Sequence, residues 1–163
     1  MNDGLGKKAE KKIKEWLDKP EKGYAFERIP DQLSGFYGSK NICDFYLYVK
    51  PSLYYIESKA TWGDSFAYES LTENQRSRMI EKSKVDGVFS IVIVLFATYQ
   101  RAFIFDVNAI QQELDKENVK KSINIKKINK WPLPYIEIPT ISSRKELLDY
   151  DGDIVNLVNQ LAH

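Results

Sequence analysis

Ten consecutive residues, Val88 to Ala97, carry a single polar side chain, Ser90. The run is well short of the roughly 18 apolar residues that a membrane-spanning helix needs, and it is dominated by β-branched and aromatic side chains. It therefore reads as a strand buried on both faces, which must sit inside a sheet covered on two sides.

What precedes that strand fixes how it enters the sheet. Ile42 to Val49 and Leu53 to Ala60 are rich in aromatic and β-branched residues and flank Lys50-Pro51-Ser52, so they read as a hairpin. Thr72 then caps a helix to about Lys84, with Gln75 at the capping-box position, and Asp86-Gly87 stops it. A strand, a helix and another strand make a crossover, which implies parallel pairing. Upstream lie a helix from Gly4 to Leu17, with Leu5, Ala9, Ile13, Trp16 and Leu17 at three- and four-residue steps, and a short strand at Tyr24 to Ile29. A fifth strand follows at Ala102 to Val107. The order predicts an α/β fold with a mixed β-sheet flanked by helices, and one domain over residues 1–163 with its core at about 4–107. Beyond it come a helix at Ala109 to Lys121, an extended stretch at Trp131 to Pro139 and a helix at Arg144 to Leu161.

Composition narrows the chemistry. One cysteine, Cys43, excludes an internal disulfide and a thiolate-cluster zinc site. The one histidine, His163, is the last residue, so catalysis by a histidine base or ligand is disfavoured. The lysine-rich N-terminus has no apolar signal region, and a cytoplasmic protein with no membrane partner is expected. The net charge of +1 hides an uneven distribution: lysines crowd Lys7 to Lys22 and Lys116 to Lys130, while Glu146 to Asp153 is acidic. Each basic cluster could be a phosphate-binding face, although a solvated helix face is the commoner reason for such a run.

The chemistry-bearing constellation is Asp44 on the first arm of the hairpin and Glu57-Ser58-Lys59 on the second. Residues i and i+2 of a strand share a face, so Glu57 and Lys59 point the same way, about 7 Å apart. Pro51 disfavours a two-residue primed turn and points to a wider loop. A four-residue loop would set Asp44 opposite Lys59, on the face of Glu57; an odd-length loop would turn it away. Two carboxylates at a strand pair make a hard-oxygen site for Mg²⁺ or Mn²⁺, with the Ser58 backbone carbonyl a further ligand candidate. Lys59 could orient the attacking water or neutralise developing charge. Glu-x-Lys alone is a weak signal, since Glu10-Lys11-Lys12 matches it on a lysine-coated helix, and hairpin charges that merely face solvent would give the same pattern.

The chain resembles the PD-(D/E)xK nucleases, and among them the RecU-like Holliday junction resolvases. The similarity lies in Cys43-Asp44-Phe45, in Tyr55 to Thr61, in Ser65-Phe66, Leu71 and Asn74-Gln75-Arg76, and in Asp86-Gly87 with the apolar strand after it. It implies the αβββαβ restriction-endonuclease-like core and a metal-dependent endodeoxyribonuclease acting on branched DNA in recombination and repair. It makes Asp44 and Glu57 metal ligands, Lys59 the catalytic lysine and Gln75 a helix residue near the scissile phosphate, although Gln75 could equally serve only the helix cap. Glu10 matches a glutamate that in related nucleases approaches the metal; the other reading is a solvated helix residue. DNA-contact candidates are Lys7, Lys8, Lys11 and Lys12, with Arg76 and Arg78. The family implies a homodimer, because two symmetric cuts resolve a junction.

One departure stands out. Where the resemblance implies a projecting stalk, this chain has only the short segment 30–41, whose Phe36 and Tyr37 are candidates for stacking on unpaired bases. A restriction- or repair-type endonuclease acting on duplex or flap DNA is the competing expectation. An inactive DNA-binding relative is another, and a third is an adaptor using Tyr46, Tyr48, Tyr54 and Tyr55 as an interface.

Overall fold

A computed structural model of the chain describes residues 3–30, 41–139 and 154–162. The opening helix α1 (Asp3–Leu17) buries the expected stripe of Leu5, Ala9, Ile13, Trp16 and Leu17. Strands β1 (Ala25–Arg28), β2 (Phe45–Val49) and β3 (Ser52–Thr61) follow, then a short β4 (Ser65–Ala67), α2 (Glu73–Ser83), β5 (Val88–Phe96) and β6 (Arg101–Asp106). The chain continues through α3 (Val107–Asp115), β7 (Ser122–Asn124), β8 (Ile136–Ile138) and α4 (Ile154–Ala162).

Six strands form one mixed sheet in the order β1-β2-β3-β5-β6-β8, and β4 pairs with β7 in a separate ribbon. The crossover through α2 makes β3 and β5 parallel, with Glu57 opposite Val92 and Lys59 opposite Val94. The other pairings in this sheet are antiparallel. Side chains alternate across the sheet, so it has two cores. One face packs Phe45, Leu47, Tyr54, Ile56, Ile91 and Ile93 against α1 and α4. The opposite face packs Val92, Val94, Phe103 and Phe105 with residues of α2, α3 and the β4–β7 ribbon. Ser90, the polar interruption of the apolar run, is buried and donates its hydroxyl to the Met79 carbonyl at 2.6 Å, which ties α2 to β5.

The hairpin loop is narrower than the sequence suggests. Val49 pairs with Ser52, leaving two residues, Lys50 and Pro51, in the loop. The Lys50–Pro51 peptide is cis, placing proline at the third position of a four-residue turn, an arrangement outside the primed turns that Pro51 disfavours. Two-residue and four-residue loops have the same parity, so Asp44 still faces with Glu57. The register, however, sets it across from Glu57 rather than Lys59.

The described residues beyond 107 join the main structure: β8 extends the principal sheet, and Val155 and Val158 of α4 enter the first core. The expected helix to Lys121 ends at Asp115 instead. The Lys121 ammonium turns back and donates to the carbonyls of Glu113 and Leu114 at 3.0 and 2.9 Å, and also to that of Lys116. Those are carbonyls a helix end leaves without intrahelical partners. Asn118 then takes a positive φ of 57°, which carries the chain out of the helical path. Among the described residues no helix is long and apolar enough to cross a membrane.

Candidate active site

The β2–β3 ladder closes at Phe45 and Ile56, and the functional groups lie just past that closure. Asp44 donates its backbone N–H to the Ile56 carbonyl at 3.1 Å, and its side-chain Oδ2 accepts the Ser58 N–H at 2.8 Å. The carboxylate thus takes the place of a strand partner for β3. A strand residue turns its N–H and C=O toward the same neighbour, so the Ser58 carbonyl faces the edge where Asp44 stands.

Glu57 is 4% exposed, wedged between the apolar partners of β5 and the end of β2. Its Oε1 lies 3.3 Å from the Lys59 ammonium, whose side chain is 24% exposed. Its Oε2 is buried without a hydrogen-bond partner. Burial raises the Glu57 carboxyl above its ordinary range, against the opposing pull of Lys59 and of the Gln75 side chain. Asp44 is pushed up to about 7, first by burial and then by the negative charge of Glu57, with the Ser58 N–H and Lys59 acting the other way. Two carboxylates that each raise their proton affinity on burial form a site suited to a positive ion.

Glu10, from α1, adds its negative charge to this environment and raises both carboxyls. Its Oε2 is held by Arg28 of β1, which donates from Nε at 3.1 Å and Nη2 at 3.0 Å. Glu10 is therefore neither a free helix glutamate nor grouped tightly with the other two acids. Among the described residues no three His, Cys, Asp or Glu side chains converge as a metal cage. Arg28 had no motif to mark it in the sequence; its place follows from the β1–β2 register, which sets it opposite Phe45, next to Asp44.

Gln75 serves the cap and the site together. Thr72 and Gln75 make the reciprocal capping box of α2, and the same Gln75 side chain helps hold Glu57 in its charged form. The two sequence readings are compatible because Gln75, in the first turn of α2, also acts on the Glu57 carboxyl. Arg76, expected at the DNA, is buried instead: it donates from Nε to Gln111 at 2.9 Å and from Nη1 to the Leu71 carbonyl, fastening α2 to α3. Arg78 is half-buried on the same helix, and its charge reaches Tyr46.

Lys7, Lys8 and Lys11 are exposed on α1, whereas Lys12 is half-buried and pairs with Glu15 at 3.3 Å. Phe36 and Tyr37 lie outside the described residues. The four tyrosines do not form one surface. Tyr46 and Tyr55 meet edge to face at 5.0 Å beside the carboxylates, Tyr54 is buried in the opposite core, and Tyr48 is exposed. Cys43 is buried, its thiol pushed up to about 12 by that burial, so it offers no nucleophile.

Among solved structures, Hjc, a Holliday junction resolvase from the archaeal hyperthermophile Archaeoglobus fulgidus, aligns with a TM-score of 0.48 at 17% identity, covering 74% of this chain and 89% of that one. No curated protein matches the chain. Residues 22–150, which include Asp44, Glu57, Lys59 and Gln75, match the family model of recombination protein U. With that match extending over most of its length, the chain belongs to the RecU family of Holliday junction resolvases.

Proposed function

We propose that this protein is a divalent-metal-dependent, structure-selective endodeoxyribonuclease that cuts four-way DNA junctions during recombination, with Asp44, Glu57 and Lys59 as its catalytic groups. The observation that carries the reading is the juxtaposition of Asp44 and Glu57, with Glu57 Oε2 buried and unpartnered beside Lys59. An unpaired buried carboxylate oxygen is costly and is relieved by a cation. The all-oxygen donor set suits Mg²⁺ or Mn²⁺. Two carboxylates with the Ser58 carbonyl leave positions for water and phosphate oxygens, as Mg²⁺ commonly requires.

When bound, such an ion acidifies water and offsets charge building on the phosphorus. The protein's own part is positional. Asp44 is fixed by the Ser58 N–H, Glu57 is paired with Lys59 and drawn toward its charged form by the Gln75 side chain, and Tyr46 and Tyr55 meet edge to face on the same side of the sheet. Lys59 sets its ammonium where it can orient the nucleophile or neutralise charge on the phosphate. Lys7, Lys8, Lys11 and Arg78 remain proposed DNA contacts, as do Phe36 and Tyr37 for unpaired bases. A two-fold homodimer would place two such sites for paired cuts.

The test is cleavage of four-way junction, flap and linear duplex at matched concentration with Mg²⁺, Mn²⁺ or chelator. Metal-dependent cutting that favours the junction is expected. Equal cutting of linear duplex would remove the junction preference, and cutting in chelator would remove the metal.

A further inference from the structure

The second lysine-rich stretch, Lys116 to Lys130, holds six lysines and one acidic residue. The fold divides those lysines into two groups. Lys116 pairs with Glu113, Lys121 donates to the carbonyls that end α3, and Lys126 pairs with Asp64 at 2.9 Å. Each of these three has a structural role. The other three, Lys120, Lys127 and Lys130, are exposed and make no ion pair among the described residues. All three line one cleft of about 300 Å³ together with Ile123, Trp131 and the buried Glu113, whose carboxylate is paired with Lys116.

Lys116 already neutralises Glu113, so Lys120, Lys127 and Lys130 leave the cleft with unbalanced positive charge, which an anion between them would relieve. The walls are rigid. The Trp131 indole donates to the Asn124 carbonyl at 2.8 Å and packs against Phe103 at 4.9 Å, while β7 is paired to β4. The site is thus built on ordered elements.

Its position relates it to the catalytic strand. Glu57 and Lys59 lie opposite Val92 and Val94, which belong to the same core as Ile123 and Trp131, so pocket and cleft open from one side of the sheet. The Ile125 N–H donates to the Asp64 carbonyl at 2.9 Å, so the lysine segment is docked on the loop that leaves β3. Asp64 is five residues past Lys59, a span of at most about 18 Å. At about 3.4 Å per nucleotide, that reach corresponds to at most roughly five nucleotides of a DNA strand.

We propose that Lys120, Lys127 and Lys130 form a second phosphate-binding site, which grips the backbone of the DNA arm several nucleotides from the scissile phosphate. This rests on the nuclease reading above and adds to it a contact surface in the chain beyond residue 107. The lysines make backbone contacts, so they supply affinity and register rather than sequence preference.

The experiment measures junction and duplex binding in Ca²⁺ across a salt series for three proteins: wild type, the K120A/K127A/K130A triple variant and its K120R/K127R/K130R counterpart. Melting temperature and junction cleavage in Mg²⁺ are read alongside. The alanine variant should melt like wild type and bind both DNAs more weakly. Its slope of log affinity against log salt should be shallower by about 2 to 3, near 0.9 for each lost contact. The arginine variant should restore the slope. An unchanged slope in a stable alanine variant overturns the site, as does an affinity loss that arginine fails to rescue. Asp44→Asn is carried in parallel. If that variant still cuts DNA, the catalytic reading fails while the lysine result stands by itself.

Discussion

The Ser58 backbone N–H donates to Asp44 Oδ2 at 2.8 Å, so the carboxylate of one hairpin arm completes the hydrogen bonding of the other. Asp44 therefore has a structural role besides any catalytic one, and substitutions can separate the two. Asparagine retains a side-chain oxygen to accept the Ser58 N–H, whereas alanine leaves that N–H unpaired. Asp44→Asn should abolish cleavage by several orders of magnitude with a near-normal melting temperature; Asp44→Ala should also cost about 1–2 kcal/mol of stability. Isothermal titration with Mn²⁺ should show metal binding weakened in Asp44→Asn and Glu57→Gln but retained in Lys59→Ala, whose cleavage is lost. Near-wild-type cutting by Lys59→Ala would sink the assigned role of that lysine.

The raised carboxyls give the metal-free protein a particular pH response. Asp44 sits at about 7 in the fold against an ordinary value near 4. Between those two values the folded state holds more protons than the unfolded chain, so stability falls as pH rises. This reverses the usual behaviour of a salt-bridged acid, whose contribution is lost as pH falls. Thermal melts in chelator from pH 4.5 to 7.5 should show this decline, flattened in Asp44→Asn. Mn²⁺ should restore stability most at the upper end, where the carboxylates are ionised. A metal-free melting temperature that rises through this window in wild type and not in Asp44→Asn would contradict the buried-pair picture.

Arg76 and Arg78 are two positions apart on α2 and should behave differently. Arg76 is 8% exposed, with its guanidinium spent on Gln111 and the Leu71 carbonyl. Arg76→Ala should cost about 2–3 kcal/mol by leaving those partners unpaired, and should impair binding to every DNA alike through loss of folded protein. Arg78→Ala should change the salt dependence of DNA binding more than the melting temperature. A fully stable Arg76→Ala with weakened DNA binding would restore the sequence expectation.

Arg76 is buried where the sequence suggested an exposed DNA contact, because local patterns do not carry tertiary partners. The apolar run at β5, the crossover and the stripe of α1 were legible because periodicity and burial are local properties of the sequence. The shared face of Glu57 and Lys59 was legible because strand residues two apart point the same way, whereas Asp44 joins them only by the parity of the hairpin loop, which the sequence left open. Which residue stands across from Asp44 depends on loop length, and the cis Lys50–Pro51 peptide leaves no clear mark in a single sequence. The burial of Arg76 depends on Gln111, 35 positions away, and the Glu10–Arg28 pair on 18. The carbonyls at the end of α3 are taken by the ammonium of Lys121, the residue to which the sequence reading extended the helix.

Gln75 caps α2 and also draws the Glu57 carboxyl toward its charged form, and a pair of substitutions tells these roles apart. Thr72 and Gln75 bond reciprocally, so removing either loses the capping box, a cost of about 1 kcal/mol. Gln75 also stabilises charged Glu57, whereas Thr72 has no such role. Thr72→Ala should therefore lower the melting temperature by a few degrees and leave cleavage of folded protein near wild type. Gln75→Ala should lower the melting temperature by a similar amount and slow cleavage further, by roughly one to two orders of magnitude, the usual cost of losing a group that orients a metal ligand. Single-turnover rates normalised to folded protein, at Mg²⁺ from limiting to saturating, make the comparison. If Thr72→Ala slows cleavage as much as Gln75→Ala, the effect belongs to the helix end, and Gln75 has no separate part in holding Glu57.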